Sequence, residues 1–111
     1  MSVLSDASAE LQEIANKYGY DTQSRQLIEE MAELTQAINK FWRKQLDCGE
    51  KTIMDIPVGT PEENNIAEEI ADVEICLEQM KYLLQCDMLV DKYINNKIDR
   101  QLKRIKESED K

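Results

Sequence analysis

The sequence predicts an all-α protein, and three observations carry that expectation. Charged residues make up 33% of the 111-residue chain, aromatic residues only 5%, and three glycines and two prolines interrupt it rarely, a balance suited to long amphipathic helices. Leu27, Met31, Leu34, Ile38, Phe41 and Trp42 recur at steps of three and four, the helical period. Ile66, Ile70, Val73, Leu77, Met80 and Leu84 repeat that pattern farther along the chain.

A short first helix is expected from about Ser5 to Lys17, with Leu11 and Ile14 on one face and Gly19 where a C-terminal stop belongs. A second, long helix should begin near Asp21 or Thr22 and run to about Asp47, closed by Gly49. The period lapses from Glu50 to Gly59, where Pro57 and Gly59 punctuate a loop. Thr60, Pro61, Glu62 and Glu63 then supply an N-cap, a first-turn proline and a capping-box acid in the order a helix start requires. That third helix is expected to reach about Cys86, and a fourth to run from about Met88 to Lys106, with Glu107 to Lys111 frayed. We read residues 1–111 as one domain, near the size at which a flat helical array borrows burial from a partner, so a homodimer or dimer of dimers is expected.

Composition also excludes functions. The net charge of −9 opposes nonspecific binding to nucleic acid or to an anionic membrane surface. No run of about 18 apolar residues or basic-then-apolar leader occurs, so no membrane partner is expected and the protein is read as cytoplasmic. Cys48, Cys76 and Cys86 show no CxxC spacing and suit reduced thiols better than a disulfide or zinc site. With no histidine in the chain, Ser-His-Asp and Cys-His chemistry are both removed. Catalysis here would run on carboxylates, lysines or a metal.

An internal repeat carries the acids. Leu27-Ile28-Glu29-Glu30-Met31-Ala32-Glu33-Leu34 aligns with Ile66-Ala67-Glu68-Glu69-Ile70-Ala71-Asp72-Val73, and the same offset pairs Ile38 with Leu77 and Phe41 with Met80. Glu30 is expected at the margin of the apolar stripe, about 60–80° from its centre, with Glu33 on the same side one turn on. Glu69 and Asp72 occupy the equivalent places on the third helix, so antiparallel packing would bring four carboxylates together. Acids at i and i+3 on one helix are commonly a solvated face; their repetition in phase favours a cation site. Oxygen-only ligands favour magnesium, with manganese tolerated and zinc disfavoured.

These residues resemble the MazG-like, all-α nucleoside triphosphate pyrophosphohydrolase superfamily. Its EExxE pattern is matched by Glu29-Glu30-Met31-Ala32-Glu33 and its downstream ExxD by Glu69-Ile70-Ala71-Asp72, within a similarity spanning Leu27 to Arg104. The resemblance implies a four-helix, bundle-like fold with two long antiparallel helices carrying the acids, completed by dimerisation. It implies that Glu30, Glu33, Glu69 and Asp72 ligate Mg2+, and that water attacks the α-phosphorus of a nucleoside triphosphate, releasing pyrophosphate.

Glu29 is the candidate to orient or deprotonate that water, its alternative being a surface charge. Lys97 and Arg100 match basic positions of relatives, Lys92 and Asn96 are similar to a Lys-xxx-Asn element, and all four are candidate phosphate contacts. Asn39, Lys40 and Trp42 are candidates to read a base, although Trp42 also fits the apolar stripe. Two other readings stay open: phosphoribosyl-ATP pyrophosphohydrolase, and a noncatalytic helical module that binds a nucleotide or metal.

Overall fold

The computed structural model describes residues 3–47 and 61–110, and every element among them is a helix. In chain order these are α1 (Val3–Asp6), α2 (Ser8–Asp47), α3 (Pro61–Leu83) and α4 (Asp87–Glu109). Pro61 opens α3, as expected of a residue whose missing N–H would have had no partner in the first turn. Thr60, the loop from Glu50 to Gly59, Gly49 and Cys48 lie outside the described residues.

The expected stop at Gly19 is present as a break inside α2. Gly19 adopts φ 82 and ψ 172, a region closed to residues with a side chain. No atom lies within 4 Å of where its Cβ would stand, so the backbone angle and not crowding demands glycine. The break lets the arm 8–18 lie against the end of α3. Ala15 is fully buried there, and Tyr82 donates its hydroxyl proton to Asn16 Oδ1 at 2.8 Å.

The helix 20–47 runs antiparallel to α3, and their seam is the core. Gln23, Glu30 and Phe41 from α2 meet Val73, Cys76 and Gln79 from α3, all of them buried, with Leu27, Leu34 and Ala37 half-buried between. The steps of four and three along 23, 27, 30, 34, 37 and 41 are the narrow stripe of a two-helix seam. This shifts the expected stripe: Met31 and Ile38 are 42% and 41% exposed and Trp42 is 56% exposed. They lie on the side of α2 to which no other helix among the described residues packs. Glu30 stands at the centre of the buried face instead of its margin.

Gln79 is the most buried large side chain, 1% exposed, and locks the register. Its Oε1 accepts from Gln23 Nε2 at 2.6 Å, and its Nε2 donates to the Leu11 carbonyl at 3.4 Å. One amide thereby ties α3 to both halves of α2.

α3 ends at Leu83, sooner than the expected Cys86. The Cys86 N–H bonds the Lys81 carbonyl at 3.0 Å and the Gln85 N–H bonds that of Tyr82 at 3.1 Å, the paired bonds of a Schellman stop. The stop requires Gln85 at φ 52, a left-handed position filled here by a residue with a Cβ. α4 then continues through Glu109, so the segment expected to fray from Glu107 is helical to that point. α4 has no buried residue; Ile94, Ile98, Leu102 and Ile105 form a stripe 47–61% exposed.

Candidate metal centre

The antiparallel register set by Gln23 and Gln79 brings Glu30 level with Asp72 and Glu33 level with Glu69. Both pairs lie within carboxyl–carboxyl hydrogen-bonding reach. One oxygen from each of Glu30, Glu33 and Glu69 falls within 4.8 Å of the others. Asp72 adjoins this trio through Glu30 and is not one of the three.

Crowded carboxylates in a partly dry seam resist ionisation. Partial burial pushes the Glu69 carboxyl above its ordinary range, helped by the charges of Glu33, Glu30 and Asp72 and a hydrogen bond with Glu33. Asp72 is raised by burial first, then by the charge of Glu30 and a hydrogen bond with it. The Cys76 thiol, buried one turn beyond Asp72, is raised by burial and then by Glu30 and Asp72. Among the described residues no basic group offsets these shifts.

Glu30 is only 9% exposed. Its Oε1 accepts from Gln26 Nε2 at 2.6 Å, while its buried Oε2, like that of Glu69, meets no hydrogen-bond donor among the described residues. A buried carboxylate oxygen without a donor is costly, and a shared proton or a cation relieves it. The donor set is all oxygen and hard, so it fits a magnesium or manganese ion better than zinc.

The other expected site residues are not gathered here. Glu29 is exposed on the flank of α2, and Asn39, Lys40 and Trp42 are exposed two to three turns beyond the acids. Lys92, Asn96, Lys97 and Arg100 are exposed on α4, which has no buried residue. A cavity of about 540 Å³ lies at the far end of the seam between the arm, α3 and α4, lined by Gln12, Glu78, Tyr82, Asp87 and Asp91 among others. That groove contains none of the four acids.

Sequence reasoning missed Gln26 and Gln79. Gln26 carried a signal, since an amide four residues before a carboxylate on a helix faces it. Gln79 did not, because a glutamine within a charged helix reads as surface. Compared with family models, with curated proteins and with solved structures, the chain matches none of them.

Proposed function

We propose that this protein is a magnesium-dependent nucleotide pyrophosphohydrolase of the MazG-like kind. The carrying observation is the convergence of Glu30, Glu33 and Glu69, with Asp72 adjoining, across an antiparallel seam in which two buried carboxylate oxygens have no donor. A single acidic helix face would not need that burial. The two motifs that resemble the superfamily are the segments that meet.

In this reading Glu30, Glu33, Glu69 and Asp72 hold the ion. Bound magnesium, or manganese in its place, supplies charge neutralisation at the phosphate oxygens and lowers the cost of attack by water. The reaction consumes a (deoxy)nucleoside triphosphate and water and yields the monophosphate and pyrophosphate, a form of nucleotide-pool housecleaning. Glu29 stands one position round α2 from Glu30 and open to solvent, where an incoming water reaches it to pass on its proton. Lys92, Asn96, Lys97 and Arg100 would meet the phosphates, and Asn39, Lys40 and Trp42 the base, from surfaces that a second copy brings together.

A dimer is part of the proposal because one chain leaves much apolar surface uncovered. The accessible surface is 8950 Å², against about 6300 Å² for a compact monomer of 12.9 kDa. The Cα radius of gyration is 17.6 Å, against about 13 Å for a compact chain of this length. Pairing the α4 stripe and the outer face of α2 with a second chain would complete a helical bundle.

The test is a panel of nucleoside triphosphates and phosphoribosyl-ATP incubated with magnesium. Pyrophosphate release that disappears in Glu69→Gln supports the proposal. Hydrolysis confined to phosphoribosyl-ATP would reassign the substrate. Magnesium binding without turnover of any nucleotide would make the chain a noncatalytic module.

A further inference from the structure

Gln26 sits one turn before Glu30 on α2 and donates from Nε2 to Glu30 Oε1 at 2.6 Å. Glu30 is the most buried of the four acids and the one that touches both neighbours, being part of the trio with Glu33 and Glu69 and within reach of Asp72. A glutamate in that position has two oxygens to place and three χ bonds that could turn them. Gln26 engages one oxygen and leaves Oε2 buried and without a donor.

We propose that Gln26 is a positioning residue for the metal centre: by engaging Glu30 Oε1 it presents Oε2 to the cation as a single-oxygen ligand. This rests on the metal-centre reading above and adds a residue outside the acidic motifs.

Three features make the amide suited to the task. It is neutral, so it orients the carboxylate without competing with the cation for its charge, as a lysine would. It lies on the same helix as Glu30, so the contact persists when α2 shifts against α3. Its oxygen is left to accept from water at the seam's edge, since Gln26 itself is exposed. Partners that orient a metal ligand in this way are typically worth about 10–100-fold in metal affinity.

The experiment measures Mn2+ affinity by electron paramagnetic resonance and Mg2+ affinity by calorimetry on the full chain, for wild type, Gln26→Leu and Gln26→Lys. Gln26→Leu keeps the volume and removes the donor. It is expected to weaken binding at least about tenfold with helix content unchanged. Gln26→Lys places an ammonium on Glu30 and is expected to raise the melting temperature of the metal-free protein while suppressing binding. Affinity in Gln26→Leu within twofold of wild type, with Gln26→Lys also binding normally, would overturn the positioning role. Wild type that binds neither ion would overturn the metal centre itself, and this role with it. A fall in affinity in Gln26→Leu with lost helix content would indicate a structural role and also count against the proposal.

Discussion

The register of α2 on α3 places the acids, and the Gln23–Gln79 pair reports it. Gln79 is 1% exposed and Gln23 6%, and their 2.6 Å bond is their main polar contact across the seam. Gln79→Leu keeps the volume but leaves the Gln23 amide buried with no acceptor, at a cost of about 1–3 kcal/mol. Gln23→Leu leaves Gln79 Oε1 in the same position and should cost a similar amount. Replacing both partners with apolar groups of the same shape is close to neutral, so the double variant should lie within about 1 kcal/mol of wild type. For a chain of this size each kcal/mol moves Tm by about 4 °C, so single variants should melt roughly 4–12 °C low and the double should recover most of that. Urea unfolding of all four proteins gives the coupling, expected to be favourable and close to the sum of the two single costs, about 2–6 kcal/mol when the double matches wild type. Additive singles, with coupling near zero, would refute the seam and the level at which Glu30 meets Asp72.

Three other outcomes follow from separate features. Glu69 and Asp72 are held above their ordinary range in the fold, so the stability they contribute is present while they are protonated. It is lost as pH rises from the unfolded values, about 4, through the raised ones; the metal-free protein should melt higher near pH 4 than near pH 8, magnesium should narrow the gap, and Asp72→Asn should too. Gln85→Gly relieves the left-handed strain at φ 52 and should stabilise by about 1 kcal/mol in urea unfolding, whereas no gain would mean the Schellman stop is not formed. Ile98→Glu, half exposed in the α4 stripe, should convert a dimer to monomers in sedimentation without loss of helix; a monomeric wild type would contradict the proposed dimer.

Helices, their order and the break at Gly19 were legible because period and punctuation act locally. Pro61 marked a boundary for the same reason, its ring fixing what can precede it. The four acids were legible because the repeat put Glu30 with Glu69 and Glu33 with Asp72 at matching places. Which face of α2 would be buried was not, since Met31 and Ile38 lie on an apolar flank as good as the one chosen by α3. The choice came from Gln23, Gln79 and Glu30, polar residues that a hydrophobicity pattern places outside. The end of α3 was missed because its stop lies in backbone bonds around Gln85 and not in a glycine or proline.

In the proposed reaction water attacks the α-phosphorus of a nucleoside triphosphate at these carboxylates. The most direct measurement is hydrolysis with magnesium in water labelled with heavy oxygen, the products being separated and weighed by mass spectrometry. Attack at that phosphorus puts one labelled oxygen in the nucleoside monophosphate, leaves pyrophosphate unlabelled, and gives no product from Glu69→Gln. Label in the pyrophosphate, release of orthophosphate alone, or undiminished turnover in Glu69→Gln would contradict it.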